Sequence, residues 1–291
     1  MKIIGFMIVK NEADILGQTL QSLLDYGGFD RILVFDNGST DDTVAVAQRF
    51  ASDRLVVFDL PTPFSDNLKF ENVYKHQHLM ADADWFAILD ADEVYRSHLR
   101  PLVEGAEKAG ANMVCTRSAQ FYFTEKDPSY GFDPQIPAEE QRPYYLVNYG
   151  EPRVYRYQAG TQLSADFVKS KPSALKSHTE LLDIFHFQFR SQEQTQKRLD
   201  IRLKNNQHSG NWGHINSDKW IDYIVPAKHL HRYDGTIRYG LPHGANLYKI
   251  KDNAAYTMAN IKWLEKYNYL SNKHKEFIYA KRWQRLLRKI F

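Results

Sequence analysis

Nine consecutive residues constrain this chain more than any other stretch: Trp85-Phe86-Ala87-Ile88-Leu89, followed at once by Asp90-Ala91-Asp92-Glu93. Five apolar residues in a row are too few to span a membrane and suit a strand buried on both faces of a sheet. Three carboxylates then arrive within four residues. In an open α/β sheet, ligands bind beyond the carboxyl ends of the strands, so the acids fall where a site is expected. If the strand geometry continues, side chains at i and i+2 point the same way. Asp90 and Asp92 can then face one hard cation while Ala91 leaves the backbone room. The same acids also suit a solvated loop that caps a helix.

The rest of the sequence supplies a frame. Residues 2–9 read as a strand that stops at Lys10-Asn11-Glu12-Ala13-Asp14, after which Ile15, Leu20, Leu23 and Leu24 mark the buried face of a helix ended by Gly27-Gly28. A second strand, 31–35, delivers Asp36-Asn37-Gly38-Ser39-Thr40-Asp41-Asp42, in which Gly38 permits a tight turn and Ser39 or Thr40 can cap a helix carrying Val44, Val46 and Ala47. A strand at 55–58 and a helix at 66–81 lead to the central strand, and a helix at 99–108 and a strand from 113 through Phe123 follow. This alternation predicts an α/β fold with a parallel, doubly wound sheet. Residues 125–150 hold Pro128, Pro134, Pro137 and Pro143 among aromatics and read as a long loop of the kind that covers a site. Strands at 154–157 and 181–189 and a helix at 192–206, opened by Ser191, complete the ordered part.

Composition narrows the function. With 291 residues, 43% of them hydrophobic and 25% charged, the chain suits one large domain plus an extension. The 38 basic and 35 acidic residues leave a formal charge of +3, too balanced for nucleic acid to be the main partner. Cys115 is the single cysteine, which excludes an intramolecular disulfide and a cysteine-based zinc site and suits a reducing compartment. The first residues lack the pattern of a signal peptide, so a cytoplasmic location is expected. In residues 281–291 the apolar Trp283, Leu286, Leu287, Ile290 and Phe291 follow helical spacing opposite five cations. Such a helix can lie peripherally on an anionic membrane or dock onto the domain.

Three polar clusters thus stand at the ends of successive strands: Ile8-Val9-Lys10-Asn11-Glu12, Asp36-Asn37-Gly38-Ser39-Thr40-Asp41 and Leu89-Asp90-Ala91-Asp92-Glu93. In this order and spacing they resemble the family 2-like glycosyltransferases of the GT-A fold. The resemblance implies a GT-A-type Rossmann-like, mostly parallel sheet flanked by helices, with a helical C-terminal extension. Residues 1–210 would form the catalytic domain, with 1–115 its nucleotide-sugar-binding half and 116–210 its acceptor half, and 211–291 the extension. It implies that Asp36 contacts the nucleotide base, that Asn11, Glu12 and Asn37 line the nucleoside pocket, and that Asp90 and Asp92 are a DxD motif holding manganese or magnesium on the donor pyrophosphate. Lys75 lies where relatives often carry an arginine, and it is either a donor contact or a solvated helix lysine.

The stretch 176–187 resembles the region where bacterial lipopolysaccharide-type relatives carry a His-Glu pair and then a histidine before Arg-Ser. Here the second histidine is His186, with Arg190-Ser191 after it, while the pair is split by Thr179. His186 is therefore a metal-ligand candidate, since imidazole suits manganese. Glu180 is the candidate base for the acceptor hydroxyl, with Asp183 and Asp166 as rivals. The aromatics of 121–149 can stack on sugar faces and exclude water. The Gln-x-x-Arg-Trp motif of processive relatives is absent. The activity implied is an inverting, metal-dependent transfer of sugar from a nucleotide-sugar, a UDP-sugar, to a glycan or lipid-linked acceptor in bacterial surface polysaccharide synthesis. Two other readings stand beside it. One is a non-catalytic scaffold of glycan assembly. The other is a nucleotidyltransferase, which would ordinarily carry a Gly-rich phosphate loop where Lys10-Asn11-Glu12 has no glycine.

Overall fold

The apolar runs of the sequence become strands covered on both faces. In the computed structural model β1 (Ile3–Val9) lies between β2 (Arg31–Asp36) and β4 (Trp85–Leu89), parallel to both, and β3 (Leu55–Asp59) continues the sheet beside β2. Side chains alternate between two cores. Trp85, Ala87 and Leu89 join Ile3, Met7, Ile32 and Val34 on one face, while Phe86 and Ile88 join Ile4, Phe6, Leu33 and Phe35 on the other. With both faces buried, neither parity of position tolerates polar residues, which is why these strands read as unbroken hydrophobic runs.

Helices α1 (Leu16–Tyr26), α2 (Thr43–Gln48) and α4 (Leu99–Lys108) cover the first face with Leu16, Leu20, Leu23, Val46, Leu99, Val103 and Ala106. Helix α3 (Asp66–Lys75) covers the second with Phe70 and Val73. The helix anticipated to reach residue 81 ends at Lys75, and a single 3-10 turn, Gln77–Leu79, follows. The registers Val9↔Asp36 and Met7↔Leu89 bring the carboxyl ends of β4, β1 and β2 to one edge.

Past Leu89 the sheet changes direction. The short β5 (Glu93–Tyr95) pairs antiparallel with β9 (Leu182–His186), and β8 (Pro152–Arg156) inserts antiparallel between β4 and β6 (Met113–Phe121). The structure describes residues 1–148, 151–160, 162–165, 175–209, 217–242, 245, 262 and 264–276. The amphipathic stretch 281–291 and Asp166 lie outside them. Among the described residues no helix is long and apolar enough to cross a membrane.

The chain forms two compact units rather than parting at one cut near residue 210. The first comprises Met1–Ala119, Phe132–Gln141 and Gly150–Gln188, and the second Gln120–Gly131, Arg142–Tyr149 and Phe189–Phe291. The stretch read as one long loop is divided between them. In the first unit Gln18 staples it to α1, donating from Nε2 to the carbonyls of Pro134 and Ile136 and accepting at Oε1 from Ala138 N, just where the short α5 (Ala138–Gln141) begins. In the second, β7 (Tyr144–Asn148) pairs antiparallel with β10 (His231–Arg232), and Ser191 Oγ accepts from Gln194 N at the start of α6 (Gln192–Ser209). Phe121, Tyr122, Phe123 and Tyr145 are fully buried. These four rings are interior, while Tyr130, Phe132 and Tyr144 of the same stretch are half-buried.

Candidate active site

The tips of β1 and β2 are built as one piece. Asp36 closes β2, and Gly38 after it has φ 77°, a left-handed conformation that favours glycine. That twist turns two successive amides inward, and Gly38 N and Ser39 N both donate to Asp36 Oδ2 at 3.1 Å. The other oxygen, Oδ1, is buried and has no hydrogen-bond partner among the described residues, in a residue only 6% exposed. Asn37 Nδ2 donates to Leu60 O and Thr62 O at 2.8 and 2.6 Å, pinning the chain that leaves β3. Asn11, itself at φ 56°, accepts from Thr40 N at 2.7 Å and donates its own amide to Ser39 Oγ. Glu12 N donates to Thr43 Oγ1 at 2.8 Å, while Glu12 O accepts the first amides of α1. Asn11, Glu12, Asp36 and Asn37 therefore come together, with the two asparagines holding the walls in shape.

The acidic run is a turn, not a continued strand. Glu93 N donates to Asp90 O at 3.3 Å, so Asp90 and Asp92 share a reverse turn in place of the pleat alternation expected of an extended segment. Asp90 keeps the parity of Phe86 and Ile88, the face covered by α3, and there Lys69 Nζ meets its Oδ1 at 2.5 Å. The antiparallel register of β8 on β4 brings up Arg153, whose Nη2 lies 2.5 Å from Asp90 Oδ2 and 2.6 Å from Glu93 Oε1. Arg153 Nη1 also pairs with Glu151 at 3.3 Å. Burial works against a charge on Asp90, but Arg153 and Lys69 outweigh it and hold the carboxyl below the usual carboxylate range. At Glu93 burial wins despite Arg153, and its pKa is pushed up to about 6.

Asp92 is buried, and its Oδ2 lies 3.5 Å from His186 Nε2. Two features hold that pair: Glu93 and His186 are cross-strand partners in β5 and β9, and Phe187 N donates to Asp92 O at 2.9 Å.

Other residues singled out in the sequence lie elsewhere. Lys75 is exposed in the last turn of α3, and the lysine at Asp90 is Lys69, six residues earlier. Asp183 sits three residues before His186, roughly 10 Å along β9 at a strand rise of about 3.3 Å per residue. Both its oxygens are taken by Arg117, Nε at 2.6 Å and Nη2 at 2.8 Å, and its amide donates to Ser97 Oγ. Glu180 is exposed in the bend beyond the far end of β9. Neither carboxylate joins Asp90, Asp92 and His186. Sequence reading missed Lys69 and Arg153. Their signals are faint: a charge between the buried Leu68 and Phe70, and an arginine directly before Val154-Tyr155. Arg153 becomes meaningful only once β8 is known to lie beside β4.

The residues at the turn fit a divalent cation in part. Asp92 and His186 already stand side by side, and an oxygen-oxygen-nitrogen set with Asp90 suits manganese. As the side chains stand, both Asp90 oxygens carry a cationic partner, and among the described residues no three His, Cys, Asp or Glu side chains converge as a metal site.

The family model for Glycosyl transferase family 2 matches residues 6–154, which is 149 of the 291 residues and includes all three strand-tip clusters. The chain belongs to glycosyl transferase family 2. His186 lies outside the matched segment of this family 2 chain. No curated protein matches it in sequence. Among solved structures it is similar to the mannosyltransferase PcManGT from Pyrobaculum calidifontis in complex with GDP-Man and Mn²⁺, at 13% identity over 71% of this chain and 61% of that one, with a TM-score of 0.41. It is also similar to residues 1–349 of S. aureus TarS in complex with UDP, at 13% identity over 72% and 67% of the two chains, TM-score 0.41. A third is glucosyl-3-phosphoglycerate synthase from Mycobacterium tuberculosis in complex with Mn²⁺, UDP and phosphoglyceric acid, at 23% identity over 41% and 43%, TM-score 0.29. The chain thus spans less than two thirds of the mannosyltransferase and less than half of the synthase.

Proposed function

We propose that this family 2 chain transfers a sugar from a UDP-sugar to a hydroxyl of a glycan or lipid-linked acceptor in bacterial surface polysaccharide synthesis, with Mn²⁺ or Mg²⁺ held by Asp90, Asp92 and His186. The observation that carries the donor assignment is Asp36 Oδ1. A buried polar atom left without a partner costs about 1–3 kcal/mol, and more when charged, so an inward oxygen of this kind calls for a donor from a ligand. Uracil presents such a donor at N3–H, whereas cytosine presents an acceptor at the same position. Asp36 is braced for this role by the Gly38 and Ser39 amides, which fix its orientation in advance.

At the other end of the site a divalent cation would neutralise charge on the departing diphosphate. Asp92 and His186 would supply one oxygen and one nitrogen, a reading supported by the 3.5 Å between Oδ2 and Nε2. The acceptor oxygen displaces the nucleoside diphosphate from the face opposite it, which inverts the anomeric centre, and the hydroxyl proton is released to solvent as the new bond forms. Glu180, in the bend before β9, and Asp183, paired with Arg117, are not given the base role.

Calorimetry with UDP and CDP tests the donor assignment. Asp36→Asn should weaken UDP about 10- to 100-fold, the worth of a hydrogen bond to a charged group. Equal UDP binding by both proteins, or CDP binding as tightly as UDP to the unaltered chain, would reject it.

A further inference from the structure

Asp90 is offered as a metal ligand above, yet each of its oxygens holds a cation: Lys69 Nζ at 2.5 Å on Oδ1 and Arg153 Nη2 at 2.5 Å on Oδ2. The two cations are not held alike. Arg153, with a side chain 11% exposed on a paired strand, also bonds Glu93 and pairs with Glu151, so its guanidinium is fixed by three carboxylates. Lys69 reaches Asp90 from α3 through one ammonium on a flexible four-carbon stem. A divalent ion that takes a lone pair from Asp90 must displace one of them, and Lys69, tied to a single carboxylate where Arg153 is tied to three, is held less firmly.

We infer that Lys69 is an intrinsic competitor for the metal: its ammonium occupies the Asp90 oxygen that the divalent cation needs, and so keeps metal affinity low until the donor arrives. This rests on the metal and donor reading given above. Displacement separates a cation from its counter-ion, which is unfavourable in a partly buried site. It becomes easier when an anion enters with the metal, and the donor diphosphate is such an anion. Metal and nucleotide binding are then linked in both directions, each strengthening the other.

The test is the binding of Mn²⁺ to the full chain, followed by the electron paramagnetic resonance signal of the free ion, without nucleotide and with UDP. Lys69→Met should bind Mn²⁺ without nucleotide about 10-fold tighter than the unaltered protein, with a smaller further gain on adding UDP. Lys69→Arg should restore the weak binding. Lys108→Met, which removes one charge from the exposed end of α4, should leave it unchanged. If UDP promotes Mn²⁺ binding in the unaltered chain but Lys69→Met binds the bare ion no more tightly, or Lys108→Met matches its gain, Lys69 is not a competitor while the donor reading stands. If Mn²⁺ binds no variant with or without UDP, both fall together.

Discussion

His186 Nε2 stands 3.5 Å from Asp92 Oδ2, held there by a strand pairing in which Glu93 faces His186 across β5 and β9. The two residues are far apart in sequence, and the tip of β9 is what carries the imidazole to the acidic turn. His186→Ala should lower Mn²⁺ affinity in the presence of UDP by about 10-fold or more, in line with the loss of groups that hold or orient a metal. An unchanged affinity by titration calorimetry would remove His186 from the ligand set.

The two carboxylates at and before the far end of β9 have separate duties. Glu180 is exposed and precedes β9, at the end away from His186, so Glu180→Gln should keep sugar-transfer or donor-hydrolysis rates within about twofold. Asp183 braces β9 through its two bonds to Arg117. Asp183→Asn should lose roughly 1–2 kcal/mol of stability, read as a lower urea midpoint. A rate loss of a hundredfold or more in Glu180→Gln would return that residue to the reaction.

The acid limb of stability has a local contributor at the opposite end of the sheet. Partial burial acts to raise the Asp30 pKa, but the Ile3 amide at 2.8 Å and Arg100 at 2.7 Å prevail, and the carboxyl lies below its ordinary value. A depressed pKa adds stability that is fully present above the unfolded carboxylate value, about 3.9, and is lost as pH falls through the folded value. The unaltered protein should therefore exceed Asp30→Asn in urea resistance at pH 7, and the gap should shrink progressively as the pH falls below the unfolded carboxylate value. A gap that widens on acidification would reverse the assignment.

Much of the fold was legible because both faces of the central sheet are buried. β4 could be read from Trp85 to Leu89 because neither parity of side chain meets water, and the polar residues after Val9, Phe35 and Leu89 then marked the strand ends. The α4 limits, Leu99–Lys108, follow from its amphipathic spacing. What escaped depended on contacts that side-chain periodicity does not encode, one of them local and the others long-range. That Asp90 and Asp92 lie in a turn is set by one amide, Glu93 N on Asp90 O, and no periodicity reports it. Arg153 meets Asp90 across 63 positions because β8 runs antiparallel to β4. The proline-rich stretch was read correctly as far as residue 137, since 122–137 carry no strand or helix, whereas Tyr144–Asn148 form β7 because β10, far along the chain, supplies its partner.

The most direct trial of a donor site spread over these strand tips is titration of UDP into the 291-residue chain with Mn²⁺, beside Asp92→Ala and a metal-free control. The unaltered chain should bind UDP with Mn²⁺ and lose most of that affinity both in Asp92→Ala and when the metal is chelated. Equal binding under all three conditions would contradict a metal-bridged diphosphate at the Asp90–Glu93 turn.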